Sequence, residues 1–488
     1  MRVERREANA EYREVEKLKA ENPMPPPFRR RSVFFRGAGA MIRKILRYNQ
    51  AMLKSVHLKD FKLHEDTRIH AAPITVFIGP NNSGKSSIFQ ALLALRQALG
   101  RQLGMFLGPV ARLDTDQDNP FMYAASESVN IGEFPDVVRG GRGTLSIGVS
   151  GELESTRPSA EVGPVQMNLE VRVADNSLSY HEGELRGRPG QMKWTFLGPM
   201  ERNIEARLGI LEPTGGTIIF APLQSFQLLQ VRAIEPRSNT PENQAKFADI
   251  GKTMAGVPAQ LLSSLHHVFP LRGFEEWGYP LPRERAQALE RISLPDRAVA
   301  LVTTVASNAR LKKELSDRLS HLIRIGVDIE FVGGNRVKVF ATQEPRGEGQ
   351  RLFVNEGTGA NQLPFILVPI ALTPKHETIL LSEPEVHLHP KGQCDLTNML
   401  LAIAKRENIQ IFIETHSEHV LHTILNAVAK GEWNRDEVAL HYFQNKNGTA
   451  EVSRREINQF GQVDGGLPDF FEQSLAELTD YLKAVSKA

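Results

Sequence analysis

Residues Ile74-Thr75-Val76-Phe77-Ile78 are apolar but for one threonine and stop at Gly79, the pattern of a strand buried on both faces. Upstream, Leu53-Lys54-Ser55-Val56-His57-Leu58 alternates, Phe61-Lys62 follows, and Thr67 to His70 leads into the buried run. Ser86 to Leu99 then reads as a helix, and glycine and proline punctuate the chain to about Arg142. Alternating runs such as Leu145-Ser146-Ile147-Gly148-Val149 and Met167-Asn168-Leu169-Glu170-Val171 predict an antiparallel sheet over 143–197. Residues 198–282 are mixed. Arg283 to Leu322 is helical, and Leu311, Leu315, Leu319 and Leu322 share one face, a packing stripe rather than a chemical one. The last third has βαβ texture, with strands at Thr378–Leu381, Ile409–Ile413, Val438–Phe443 and Ala450–Arg454 and helices at Lys391–Lys405 and Glu418–Lys430.

Composition narrows the class. At 488 residues the chain suits two or three lobes. Its 41% hydrophobic and 24% charged residues are ordinary for a globular protein. The single cysteine, Cys394, excludes an intrachain disulfide and fits a reducing, cytoplasmic setting. No apolar run reaches the length of a membrane span, and no secretory signal pattern opens the chain. Residues 1–50 hold 13 Lys and Arg against 6 Glu, a net of +7, which leaves the remaining chain at −5 of the overall +2. The body is therefore not broadly basic, and any DNA contact would need a local patch.

The pattern divides the chain into a basic, disordered extension (1–51), the first part of an α/β head (52–142), an antiparallel β lobe (143–197), a mixed and helical insertion (198–350), the second part of that head (351–455) and a small C-terminal tail domain (456–488). The extension could serve as a nucleic-acid or membrane arm, but a plain leader ahead of Met52 is the simpler reading.

Candidate chemistry begins where the buried strand ends. Gly79-Pro80-Asn81-Asn82-Ser83-Gly84-Lys85-Ser86-Ser87 is a phosphate loop between strand and helix. Gly79 and Gly84 let the backbone wrap an anion, while Asn81, Asn82, Ser83 and Ser87 complete the cradle. Lys85 suits the β- and γ-phosphates, and the Ser86 hydroxyl suits Mg²⁺, so ATP and Mg²⁺ are the expected ligands. Such a loop needs a distant strand carrying acids. Two apolar strands end in carboxylates: Ile379-Leu380-Leu381-Ser382-Glu383-Pro384-Glu385, and Ile411-Phe412-Ile413 before Glu414-Thr415-His416-Ser417.

With these segments the chain resembles ABC-type ATPases of the SMC/RecF/OLD group, and more narrowly prokaryotic AAA-labelled ATPases with a small C-terminal domain of unknown function. Further matching stretches are Met52–Phe61, Val129–Val138, Glu356–Pro364, Ser382–Pro390, Glu414–His419 and Gly465–Phe471. The resemblance implies an α/β fold, a P-loop NTPase head of ABC type with an antiparallel β lobe and an inserted helical lobe. It implies that Glu383 is the catalytic glutamate acting on water and that His416 is the switch histidine. It also implies that Gly357, Thr358, Gly359 and Gln362 form a degenerate signature motif, which approaches the γ-phosphate bound by a second protomer. ATP would then close a head-to-tail homodimer, or a higher homo-oligomer. In the family an acidic residue precedes the catalytic glutamate; here Ser382 stands there, which predicts slow hydrolysis unless Glu385 compensates. The family's glutamine loop has only the candidate Gly132–Asp136.

Two local alternatives are weaker. Glu385-Val386-His387-Leu388-His389 has metal-ligand spacing, but the resemblance assigns it to a loop at the dimer interface. Phe61-Lys62 could stack on adenine, against the plainer reading of a buried aromatic at a strand end. Roughly 70 residues follow His416, without clustered carboxylates for a two-metal nuclease, so any effector is expected as a separate chain, a nuclease or toxin. The leading expectation is an ATP-gated sensor or scaffold of an anti-phage or anti-plasmid defence system. A RecF-like repair ATPase that binds DNA in the ATP state is the alternative, and a barely hydrolysing structural module is a third.

Overall fold

The apolar run at 74–78 forms a wholly buried strand with a parallel neighbour on each side, and the fold is layered on its two faces. The computed structural model describes residues 50–106, 129, 131–132, 134–154, 164–174, 177–187, 190–196, 206–210, 216–222, 229–236, 240–242, 244–245, 257–280, 294–333, 336–343 and 351–467. The expected leader, through residue 49, and the tail from residue 468 lie outside the described residues, as do Asn130 and Glu133 of the 129–138 stretch.

Strands β1 (Gln50–Phe61), β2 (His64–His70) and β3 (Ile74–Ile78) precede helix α1 (Lys85–Phe106). Then come β4 (Thr144–Glu154), β5 (Val165–Ala174), β6 (Ser177–Gly187), β7 (Gly190–Phe196), β8 (Ala206–Ile210), β9 (Gly216–Pro222) and β10 (Leu229–Pro236). With β1 and β2 they make a nine-stranded antiparallel sheet, ordered β10-β9-β8-β7-β6-β5-β4-β1-β2. The sheet thus outruns the alternating pattern of 143–197 at both ends. Strands β8 to β10, short runs in a stretch of mixed texture, join because each finds a backbone ladder on the strand before it.

Helix α2 (Val257–Ser263), β11 (Leu265–Val268) and β12 (Tyr279–Pro280) follow. The helical stretch expected over 283–322 holds two helices, α3 (Leu294–Ala306) and α4 (Ala309–Ile323). Asn308 restarts the helix as an N-cap, its side chain accepting from the Leu311 N–H. Leu311, Leu315 and Leu319 are buried, as the stripe predicts. Strands β13 (Ile325–Phe331), β14 (Arg336–Gln343) and β15 (Arg351–Leu352) join β12 in a small antiparallel sheet. The chain continues through α5 (Thr358–Gln362), α6 (Pro364–Leu372), β16 (Thr378–Ser382), α7 (Pro390–Glu407), β17 (Gln410–Glu414), α8 (Glu418–Ala429), β18 (Val438–Lys446) and β19 (Thr449–Arg455).

The six-stranded sheet runs β11-β16-β17-β3-β18-β19, parallel except for β19. Its faces follow residue parity, since alternate side chains point to opposite sides. Phe77, Leu380, Phe412 and Phe443 pack with α1, α2 and strands β1, β4 and β5 in one apolar core. Ile74, Val76, Ile78, Ile379, Leu381, Ile411 and Ile413 pack with α3, α4, α6, α7 and α8 in the other. Helix α1 is therefore shared by the two sheets, and its N-terminus is held at the carboxyl edge of β3.

One buried amide ties the sheets together. Gln410 accepts from the Leu53 N–H at 3.0 Å and from the Thr378 hydroxyl at 2.8 Å. Its Nε2 donates to the carbonyls of Leu53 at 2.9 Å and Ala72 at 3.0 Å. The β1–β4 register shifts between Leu53 and Ser55, where the ladder is irregular. Gln410→Leu strands those backbone groups in the core. The expected loss is about 3 kcal/mol or more in urea unfolding, because each orphaned buried group costs about 1–3 kcal/mol.

Candidate functional site

The phosphate loop lies hard against β18 and β2. Gly79 has φ 141°, and a Cβ there would come within 2.1 Å of the Phe443 carbonyl oxygen. Gly84 has φ 96°, and a Cβ there would come within 2.9 Å of His64 Nε2. Only glycine fits both positions. Asn82 takes the left-handed region at φ 57°, and its carbonyl accepts from Asn445 Nδ2 at 2.8 Å. Lys85 is buried, and its ammonium donates to the carbonyls of Gly79 at 3.0 Å and Pro80 at 2.8 Å. Burial pushes its pKa down, while Glu414 and Glu383 pull it up.

Parallel pairing brings the carboxyl ends of β16 and β17 to this edge, with Ser382 opposite Glu414. The cleft has a volume of about 380 Å³. Lys62, the loop from Asn81 to Ser87, Gln90, Glu383, Glu414 and His416 line it. Glu414 is buried and accepts a hydrogen bond from the Ser86 hydroxyl. Burial pushes its carboxyl up, opposed by the Ser86 bond and by Lys85. His416 Nε2 lies 3.7 Å from a Glu383 oxygen. Burial and then Lys85 lower the His416 pKa, against Glu383, which favours a neutral imidazole at neutral pH.

Glu383 itself sits in the left-handed region, at φ 45°. Arg272, buried after β11, donates to the carbonyls of Ser382 at 3.0 Å and Glu383 at 2.6 Å. Asn361 of α5 in turn clasps the Phe274 backbone, accepting from its N–H at 2.7 Å and donating to its carbonyl at 2.9 Å. Arg272 carries no motif that a sequence reader would single out; only the fold brings it under Glu383.

The other expected residues distribute as follows. Gly357, Thr358, Gly359 and Gln362 do not line the cleft of their own chain. Gln362 is buried and donates to the Val386 carbonyl, and a Cβ on Gly359 would meet the His387 carbonyl oxygen at 2.4 Å. Glu385 does not reach the cleft as a substitute acid. It accepts from the Thr415 hydroxyl at 2.6 Å and the His416 N–H at 3.1 Å, bracing the histidine loop. His389 caps α7, its side chain accepting from the Lys391 N–H. Phe61 is fully buried, the plain strand-end reading, whereas Lys62 faces the cleft and donates to Gln90 at 2.7 Å. Gly132 and Asp136 of the glutamine-loop candidate are not among the lining residues. Among the described residues no three or more His, Cys, Asp or Glu side chains form a metal cluster, and no helix is long and apolar enough to cross a membrane.

A glycine-walled phosphate loop with its lysine and serine facing acids across a sheet edge defines a P-loop ATPase of α/β class, with the antiparallel sheet and helical insertion expected of an ABC-type head. The model of an AAA ATPase domain matches residues 52–132 and 304–421, and that of a protein of unknown function, DUF3696, matches 434–480. The chain thus carries an AAA ATPase domain, in two segments, followed by a DUF3696 segment. Among solved structures it is similar to the SMC head domain from Thermotoga maritima, at 12% identity and TM-score 0.37, over 83% of this chain and 99% of that one. An SmcHead bound to the C-winged helix domain of ScpA matches at 12% and 0.42, over 83% and 98%. The Smc head domain from Pyrococcus furiosus with an extended coiled coil, bound to the C-terminal domain of ScpA, matches at 10% and 0.40, over 88% and 99%. No curated protein matches.

Two buried imidazoles support the loop. His64 Nε2 contacts the Gly84 carbonyl oxygen at 3.0 Å, and His441 Nε2 contacts that of His70 at 2.8 Å. Burial pushes both down to about 4, partly opposed by those carbonyls. Their folded pKa lies below the unfolded value, so the stability they contribute is full above about pH 6.5 and lost as pH falls towards 4. Each is worth about 3 kcal/mol at most. The unfolding free-energy difference between wild type and His441→Gln should therefore shrink as pH falls through that window, measured by urea denaturation.

Proposed function

We propose that this chain binds ATP with Mg²⁺, hydrolyses it slowly, and closes on ATP into a homodimer with shared sites. The observation that carries the reading is the cleft in which Lys85 and Ser86 face Glu383 and His416. Lys85, which donates to the loop's own carbonyls, would exchange them for β- and γ-phosphate oxygens. Ser86 would hold Mg²⁺, whose charge offsets that of the phosphates. Glu383 accepts the proton of the attacking water, and neutral His416 donates a hydrogen bond towards the γ-phosphate. Lys62, at the mouth of the cleft, adds a cation for the nucleotide.

The signature residues support the two-chain model. None of them lines the cleft of its own chain, and Gly359 and Gln362 pack against residues 386–388, which leaves a nucleotide on another copy as the ligand of this motif. ATP closing that interface would then press on the 383–389 loop, which carries Glu383. We further propose that the dimer is the sensor or scaffold of a defence system against phage or plasmid and acts through a separate nuclease or toxin. That finer reading rests on the resemblance. A pull-down from the native host with Glu383→Gln and ATP tests it: a stoichiometric protein partner surviving nuclease supports it, and recovery of nucleic acid alone favours the RecF-like alternative.

Two substitutions test the ATPase reading. Glu383→Gln should accumulate as an ATP-bound dimer in light scattering, whereas Lys85→Ala should lose nucleotide binding; a monomeric Glu383→Gln at saturating ATP and Mg²⁺ refutes the shared site. Arg272→Lys cannot span both carbonyls. It should lower kcat about tenfold or more, while KM for ATP stays within about threefold, as expected of a residue that positions Glu383 without touching substrate.

A further inference from the structure

We propose that Glu414 supplies the carboxylate of the Mg²⁺ site, one strand closer to the phosphate loop than the position before Glu383. The inference rests on the ATP reading and assigns a residue to its metal. Ser382 and Glu414 are direct partners in the β16–β17 register. They share residue parity with Leu380 and Phe412, whose side chains pack on the face that carries α1. Both side chains therefore point to the side where Ser86 stands in the first turn of that helix. They differ in distance from it. Strand β17 is the immediate neighbour of β3, whereas β16 is one strand, about 4.8 Å, further away.

A short serine on the farther strand falls short of Ser86, and it is already committed. Ser382 is buried, its hydroxyl lies 3.1 Å from His267 Nε2, and it does not line the cleft. Glutamate on the nearer strand spans the gap: Glu414 lines the cleft and meets the Ser86 hydroxyl. A serine hydroxyl and a carboxylate oxygen in mutual contact are the hard donors that Mg²⁺ takes from a protein, the remaining positions going to phosphate and water. Glu385, the other acid near Ser382, does not line the cleft, and its Oε1 accepts from the Thr415 hydroxyl and the His416 N–H. The missing acid at 382 is thus replaced by its cross-strand partner, and the site need not lack charge.

Glu414→Gln keeps the volume and an acceptor for Ser86 but removes the charge. Calorimetric titration of ATP with Mg²⁺ and with EDTA, paired with electron paramagnetic resonance of Mn²⁺ in place of Mg²⁺, separates metal from nucleotide. In wild type and Ser382→Ala, Mg²⁺ should tighten ATP binding about tenfold or more, a gain of about 1.4 kcal/mol or more. In Glu414→Gln that gain should fall to about twofold or less, with the ATP-dependent Mn²⁺ signal weakened alike. Metal-free ATP binding should be retained, which shows that the variant folds. A full Mg²⁺ gain in Glu414→Gln, or its loss in Ser382→Ala, overturns the assignment. A wild type that binds no ATP with or without metal overturns the ATP reading itself, and this assignment with it.

Discussion

The Gln410 side chain is the joint on which the molecule depends. A parallel sheet buried on both faces and a large antiparallel sheet have no reason to meet at one fixed register through apolar packing alone, which is non-directional. Four hydrogen bonds from a single buried amide set that register, gripping Leu53 and Ala72 from the antiparallel side and Thr378 from β16. Once β17 is held there, its last residue, Glu414, sits at the edge where α1 starts. The distance from a structural amide to a candidate metal carboxylate is one short strand.

The same edge concentrates charge in a low-dielectric place. Burial pushes Lys85, Glu414 and His416 each towards its neutral form, and the neighbouring charges of Lys85, Glu414 and Glu383 modulate those shifts. Such a set is stable only with well-placed partners. Loop carbonyls hold the Lys85 ammonium, while the Arg272 side chain braces the Glu383 backbone through its carbonyl and Glu385 braces the His416 backbone through its N–H. Those three contacts belong to three different segments. The site is therefore sensitive to motion of the 269–279 and 383–389 loops, and Asn361 and Gln362 connect both loops to α5.

Much of this was legible in the chain. The phosphate loop, its strand and its helix, the two acid-ended strands and the stripe Leu311–Leu315–Leu319 all follow from local periodicity and spacing. Where the reading fell short, the missing information was non-local. Strands β8 to β10 are short runs within a stretch whose overall texture is mixed, and pairing edge to edge outward from β7 is what orders them into the sheet. The helix over 283–322 hid a restart at Asn308, since a capping residue inside a helical pattern looks like an ordinary polar position. Ser382 read as a lost charge and Glu385 as its replacement because adjacency in sequence was the only guide.

By itself, the sequence determined which segments are strands with buried faces, where an anion is wrapped, and which residue types gather near it. Steric rules and side-chain chemistry act within a few residues, so a single chain segment carries them. Tertiary structure alone decided which acid faces Ser86, what holds Glu383 in a left-handed backbone, and that Gly359 and Gln362 pack against residues 386–387 rather than line the cleft of their own chain. Strand order and register settle those points, and both arise from contacts between residues as far apart as Leu53 and Gln410, which no local pattern encodes.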